Sequence, residues 1–211
     1  LAGMAMAPVG LFAILLSPWV GKNVSRIDPR KLATVAFVVF ALVLWMRSQF
    51  NPQSPFSTIL LPTIVQGVAM AFFFIPLQAI VFSGLTPDQM PAASGLSNFV
   101  RITAGAMGTS IFTTLWEDRA IMHHAHLAEQ INAGSSAAMQ TLTQLGASGL
   151  SPEQAAATIN RLIDQQAYTM AATDLFRLSS FLFLAMIAIV WLTAPRKSAV
   201  AADAADAGGA H

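Results

Sequence analysis

Long segments without charged side chains dominate the 211-residue chain. Charges are absent from positions 1–21, 32–46 and 48–87. Because about 20 residues of α-helix cross a hydrocarbon core of about 30 Å, such segments predict membrane-spanning helices. A β-barrel is disfavoured, since the segments are too long and too continuously apolar for dyad alternation. We therefore predict an all-α polytopic membrane protein with five transmembrane helices. The predicted spans are 1–20, 31–50, 56–83, 92–115 and 175–194.

The composition supports this class. Hydrophobic residues make up 55% of the chain and charged residues only 10%, whereas soluble domains carry roughly 25% charged residues. The net charge of +1 offers no basic surface for nucleic acid. Without cysteine, the chain has no disulfide framework and no zinc-thiolate site. A cytosolic enzyme and a nucleic-acid-binding protein are therefore excluded.

The basic residues predict the orientation and four regions. Six of them lie in the first loop and the tail: Lys22, Arg26, Arg30, Lys31, Arg196 and Lys197. The positive-inside rule places both segments in the cytoplasm and the 116–173 loop outside. The regions are four spans (1–115), an outer loop with helical segments (116–173), the last span (174–195) and a disordered cytoplasmic tail (196–211). Because the chain opens inside an apolar segment, we expect a fragment of a larger protein.

The outer loop carries helix signals of its own. The fourth span is expected to continue as helix from 115 to 131, and Ser151 followed by Pro152 and Glu153 predicts a new helix start. Beyond it, Ile159, Leu162, Ile163 and Gln166 form an apolar stripe on a polar helix. We expect this stripe to pack on the protein's own outer surface, with docking of a partner as the alternative.

The fourth span has one polar or small face. At 100° per residue this face collects Ser94, Asn98, Arg101, Gly105, Thr109, Phe112 and Trp116. Arg101 needs a partner in the membrane, because an arginine there costs at least about 2.5–3.5 kcal/mol. No carboxylate lies within any of the five spans. A role for Arg101 in a transport pathway competes with a structural arginine that snorkels to headgroups.

Other polar positions are less informative. In the third span, Gln66 and Phe73 share a face, as either part of a cavity wall or an interhelical contact. Pro62 and Pro76 are expected to interrupt the hydrogen-bond ladder of that span. His123, His124 and His126 point in different directions on a helix, so we expect a solvated face and no metal site. No catalytic constellation is present, which argues against an enzyme.

Several motifs carry a family resemblance. The loop 21–31, GKNVSRIDPRK, resembles the glycine, basic and acidic motif on cytoplasmic hairpins of the major facilitator superfamily. The chain as a whole resembles EmrB-type multidrug transporters, in the fourteen-span drug:proton antiporter branch. The resemblance rests on this loop together with APVG (7–10), IVQG (64–67), FFIPL (73–77), ASGLSNFVR (93–101) and MHHA (122–125).

The resemblance implies a function for the parent protein. The chain would supply the last five of fourteen spans of a proton-coupled antiporter, which exports hydrophobic drugs across the bacterial inner membrane by alternating access. It also implies the missing N-terminal part, a periplasmic membrane-fusion adaptor and an outer-membrane channel as partners. No cofactor is expected, since the proton gradient supplies the energy. Because these spans lack carboxylates, proton carriage is expected in the absent part, with Asp174 forming a local ion pair with Arg177.

These implications assign roles to particular residues. We expect the substrate path to involve Gln66, Phe73, Asn98, Arg101 and Thr109. The resemblance implies a cytoplasmic latch, whose charges pair in one conformation and release in the other, at Gly21, Arg26, Asp28 and Arg30. The alternative is a non-transporting membrane scaffold that binds a periplasmic partner through 116–173. An intramembrane enzyme is a third, disfavoured option.

Overall fold

The protein is built from long α-helices. The computed structural model describes residues 2–24, 26–51, 53, 55–131 and 136–192. Within these ranges the helices are α1 (Ala2–Asn23), α2 (Pro29–Arg47), α3 (Phe56–Val81), α4 (Met90–Gln130), α5 (Ser136–Ala147) and α6 (Pro152–Leu192). The same ranges contain no strand, and the all-α prediction is confirmed. The predicted tail, 196–211, lies outside the described residues.

Within the described ranges, three helices are long and apolar enough to cross a membrane. They are α2, residues Thr58–Val81 of α3, and α6. Their outward faces are apolar, with Leu42, Leu61 and Ile189 each at least half exposed. Such surfaces suit a hydrocarbon solvent and would favour association in water. The spans predicted in α1 and α4, and with them the count of five, stay predictions.

The helix α2 lies at the centre of the packing. It contacts α3 on one side and α6 on the other, while α3 also packs against α1 and α6 against α4. Ala33 and Phe37 of α2 are buried together with Val190 of α6. The Phe37 ring lies 5.9 Å from that of Phe73 on α3 and 6.0 Å from that of Phe183 on α6. Aromatic packing therefore joins all three helices at one level.

A buried polar contact and a close backbone approach fix the helix pairs. Ser180 of α6 donates a hydrogen bond of 2.8 Å to the carbonyl of Ala41 in α2. At Gly67 of α3, an added Cβ would lie 2.8 Å from the carbonyl oxygen of Val9 in α1. Only a residue without a side chain permits this distance, as is common where membrane helices pack closely. The prolines Pro62 and Pro76 lie inside α3, which nevertheless runs as one helix.

The helices α4 and α6 each contain 41 residues. The fourth predicted span was expected to continue as helix from 115 to 131. This is confirmed, because α4 extends to Gln130. So is the helix start at Ser151, where the backbone N–H of Gln154 donates to Ser151 Oγ (3.3 Å) and that of Ser151 donates to Gln154 Oε1 (3.0 Å). That helix continues without a break to Leu192, because no glycine or proline follows Pro152 before that point. The region boundaries predicted at 115/116 and 173/174 thus fall inside continuous helices.

Candidate functional site

The N-terminal half of α4 presents its polar face without a neighbouring helix among the described residues. From Met90 to Ile111, every residue is exposed except the partly buried Ala93, Ser97 and Gly108. Arg101 Nη2 donates a hydrogen bond of 2.7 Å to Asn98 Oδ1, one helical turn earlier. Thr109 Oγ1 donates to the carbonyl of Gly105 at 2.9 Å. These polar groups are therefore paired along α4 itself.

The position of Arg101 along α4 follows from helix geometry. It lies 11 residues after Met90 and 15 residues before Trp116, or about 16 Å and about 22 Å at 1.5 Å per residue. The Trp116 and Tyr168 rings are in contact, with centroids 5.3 Å apart, and such residues favour the membrane–water interface. If Trp116 and Tyr168 mark one membrane interface, Arg101 lies within the fourth predicted span. It is then nearer to the end at which the basic loop 21–31 is expected.

The outer half of α4 is held against α6 by polar contacts. Trp116 Nε1 donates to the carbonyl of Tyr168 at 3.1 Å. Asp174 Oδ2 lies 2.9 Å from His123 Nε2 and 3.5 Å from Arg119 Nη1. The expected ion pair between Asp174 and Arg177 is wrong, because Asp174 faces α4. We call Arg119, His123 and Asp174 the outer clasp.

The packing of α4 against α6 places His123 and His124 in different environments. The His123 side chain is only 14% exposed, so the expectation of a solvated face is wrong for this residue. His124 Nε2 lies 3.4 Å from Asp164 Oδ1 and remains partly accessible. The cause is that α4 and α6 continue side by side beyond the predicted membrane boundary. Among the described residues, no three His, Asp or Glu side chains converge as a metal site would require.

Gln66 makes an interhelical hydrogen bond. Its Oε1 accepts from Arg47 Nη2 at 2.6 Å, which joins α3 to the end of α2. The interhelical alternative for Gln66 is confirmed. Arg47 was not assigned as its partner from the sequence, although a signal existed: Arg47 is the sole charge between positions 32 and 87. A lone membrane charge requires a polar partner, and the next span offers two glutamines.

The five predicted path residues lie on two helices that do not touch. Gln66 and Phe73 belong to α3, whereas Asn98, Arg101 and Thr109 belong to α4. In the described part of the chain, α3 and α4 make no close backbone approach. The Phe73 ring packs against that of Phe40, 5.3 Å away. The helices α2 and α6 lie between α3 and α4 in the order of packing, so a common path through these residues stays a prediction.

The predicted latch residues lie at the α1–α2 connection. Gly21 is in the last turn of α1 with open space around it, and Arg26 is exposed. Asp28 caps α2 by accepting a hydrogen bond of 3.0 Å from the backbone N–H of Arg30. The side chain of Arg30 is buried, with 8% of the residue exposed. Their role as a latch stays a prediction.

The apolar stripe of the outer region borders a cavity of about 250 Å³. Its walls come from α4, α5, α6 and the residue that follows α4: Leu127, Ile131, Thr141, Ile159, Leu162, Ile163 and Gln166. The stripe thus faces other helices of the same chain. Ile163 is 9% exposed but Leu162 is 54% exposed, so the expected packing on the protein's own outer surface is seen for part of the stripe, while docking of a partner there stays a prediction.

Comparison with known proteins gives the chain its relatives. It is 39% identical over 211 residues to the multidrug export protein EmrB of Escherichia coli K12, which covers all of this chain and 40% of that protein. It is 38% identical over 194 residues to the fatty acid resistance protein FarB of Neisseria gonorrhoeae, covering 92% of this chain and 38% of FarB. An MFS-type transporter of Bacillus subtilis, YhcA, is 22% identical over 129 residues, covering 61% of this chain and 24% of YhcA.

Neither of the other comparisons adds to this assignment. No protein-family model matches the chain, and no solved structure matches it. The identity to the curated relatives extends over the whole chain, while the chain spans about 40% of their length. The helical architecture and the apolar helices agree with this relationship. The chain is therefore similar over its whole length to about two fifths of an EmrB-type multidrug export protein.

Proposed function

We propose that the parent protein is a proton-coupled multidrug efflux antiporter. It exports hydrophobic drugs across the bacterial inner membrane by alternating access, and this chain forms part of one transporter half. The names of the relatives support export of drugs, and that of FarB extends the substrates to fatty acids. The observation that carries the proposal is the polar face of α4, which is exposed over most of its inner half.

The polar face of α4 is suited to line a path. A polar, hydrogen-bonded arginine exposed to lipid would be costly, so Arg101 and Asn98 should face the remaining helices of the parent or a water-filled cavity. There the guanidinium and amide would provide a few oriented polar groups in an otherwise apolar passage. Thr109 extends this line by two further turns, and Gln66 and Phe73 would contribute from the α3 side.

Proton coupling is proposed to reside outside this chain. The five predicted spans contain no Asp or Glu, and a proton carrier in a membrane path is usually a carboxylate or a histidine. Asp174, the nearest carboxylate, is engaged by His123 and Arg119. Movement of the latch at the α1–α2 connection would accompany the change of access. No cofactor and no catalytic step are proposed.

The outer helices would connect the transporter to the periplasm. The hairpin formed by α4, α5 and α6 carries the outer clasp and the 250 Å³ cavity. We propose that it contacts a membrane-fusion adaptor that leads to an outer-membrane channel, with the C-terminus in the cytoplasm. The alternative, a non-transporting scaffold, would use the same hairpin but would move neither drug nor proton.

Proton movement in inside-out vesicles tests the proposal. Vesicles with the complete parent protein are challenged with a panel of hydrophobic drugs, and vesicles with residues 1–211 alone are the control. Drug-dependent proton release from the parent alone is expected. Absence of release with every drug, from protein shown to be folded, would favour the scaffold. Release from the control would place the coupling group within this chain.

The role of α4 is tested by a matched pair of substitutions. Arg101→Ala is expected to abolish drug efflux at unchanged membrane abundance, because the path loses its cation. Ile102→Ala changes the neighbouring residue, whose side chain is 63% exposed, and is expected to leave efflux near normal. Equal efflux in the two variants would remove Arg101 from the path.

A further inference from the structure

A buried guanidinium nitrogen without a hydrogen-bond partner among the described residues lies near the start of α2. Arg30 is 8% exposed, and its Nη2 atom has no hydrogen-bond partner within the described residues. The ion pairs that the structure describes do not include Arg30 either. A buried charge without a counter-charge is strongly unfavourable, and buried polar groups in proteins are almost always paired. The Nη2 atom is therefore available to donate to an oxygen of an anion.

The surroundings of Arg30 place it at the membrane boundary. It occupies the first turn of α2, a helix of 19 residues, which is about 28 Å long and spans a hydrocarbon core from end to end. One turn further along α2, the hydroxyl of Thr34 accepts a hydrogen bond of 3.1 Å from Trp191 Nε1. Trp191 is half-exposed near the end of α6. Tryptophan at such a position is typical of the headgroup region.

The charge around Arg30 selects an anion. Lys22, Arg26 and Lys31 are exposed close by in the sequence. Asp28 is the one acidic residue of the connection, and its Oδ1 accepts from the backbone N–H of Arg30 rather than from the guanidinium. Clusters of four or more basic residues beside a transmembrane helix attract anionic lipids, and basic pockets between such helices bind their headgroups.

We propose that Arg30 binds the phosphate of an anionic phospholipid headgroup at the basic end of α2. The guanidinium donates two hydrogen bonds to phosphate oxygens, as its planar fork favours. An exposed rim of basic side chains attracts the lipid but does not enclose it. The rim consists of Lys22, Arg26 and Lys31. Binding at this site requires only that α2 spans a membrane, so it can be measured without any drug.

Native mass spectrometry of the complete parent protein measures this binding. The protein in mild detergent is titrated with phosphatidylglycerol or phosphatidylcholine, and bound lipids are counted. Phosphatidylglycerol is expected to bind in preference. Arg30→Gln should weaken it by at least about tenfold, the loss of a hydrogen bond to a charged group. Lys31→Gln, an identical charge change on the exposed rim, should weaken it by no more than about fivefold.

Several outcomes would overturn the proposal. Unchanged phosphatidylglycerol binding by Arg30→Gln would mean that a carboxylate of the protein fills the site. Displacement of the lipid by excess inorganic phosphate would assign the site to a soluble anion. If Arg30→Gln fails to fold, Arg30→Lys replaces it, because lysine keeps the charge but lacks the planar guanidinium. The affinity for phosphatidylglycerol should then fall several-fold. An unchanged affinity would contradict the proposal. Drug-dependent proton release by the unsubstituted parent protein in phosphatidylcholine vesicles, which lack the anionic lipid, tests drug export separately from lipid binding.

Discussion

The close approach of α1 and α3 at Gly67 makes a quantitative prediction. In Gly67→Ala the new Cβ would lie 2.8 Å from the carbonyl oxygen of Val9, 2.9 Å from the Cβ of Phe12 and 3.1 Å from the Cα of Val9. Two of these three atoms belong to the backbone, so rotation of a side chain cannot relieve the contact. The helices must separate by several tenths of an ångström along their interface.

The magnitude follows from two opposing effects. Overpacking of a well-packed interface costs about 1–3 kcal/mol, whereas replacing glycine by alanine within a helix gains up to about 1 kcal/mol. We expect the free energy of unfolding to fall by about 1–2 kcal/mol. Gly10→Ala is the matched control, because Gly10 lies on α1 in the same helix pair but has open space around its Cβ position. Its unfolding free energy should stay equal or rise slightly.

Reversible unfolding in mixed detergent micelles provides the assay. The parent protein and both variants are titrated with a denaturing detergent, and helix content is followed by circular dichroism. The expected order of stability is Gly10→Ala at or above the wild type, with Gly67→Ala clearly below. Equal midpoints for the two variants would refute the reasoning, since the backbone contact at Val9 would then contribute nothing to the packing of α1 on α3.

Three further substitutions test separate contacts. Gln66→Leu removes the acceptor of Arg47 within the membrane and should lower the unfolding free energy by about 1–3 kcal/mol; an unchanged value would show that Arg47 finds another partner. Asp174→Asn weakens the outer clasp, which is partly exposed, so we expect the unfolding free energy to fall by at most about 1 kcal/mol. Amide hydrogen exchange around His123 should become faster, and unaltered exchange would contradict this prediction. Arg26→Ala should slow drug turnover more than it weakens drug binding, and a wild-type turnover rate would remove Arg26 from the latch.

The arrangement of α4 also explains why we expect a complete path to need the rest of the parent protein. Between Met90 and Ile111, the described side-chain hydrogen bonds of the polar face run along the helix itself, from Arg101 to Asn98 and from Thr109 to Gly105. Polar groups within a membrane helix normally meet other helices or water. The relatives are about two and a half times as long as this chain, so the remaining part of the parent is expected to supply the helices that face α4.

The sequence by itself determined the features that depend on neighbours along the chain. Uncharged segments long enough to cross a bilayer predicted the helices α2, α3 and α6, because their length and apolarity are local properties. The Ser151 helix start and the extension of α4 to Gln130 likewise followed from short-range signals. The polar face of α4 could be assigned because a continuous helix fixes the angle between its residues.

The tertiary structure decided which side chains meet across helices. Arg47 reaches Gln66, and Asp174 turns to His123 instead of to the nearby Arg177. Gly67 allows the close approach of the α1 backbone, and Nη2 of the buried Arg30 has no hydrogen-bond partner among the described residues. Each of these results depends on the register between helices distant in the chain. That register is set by the sum of many packing contacts, and no single residue type encodes it.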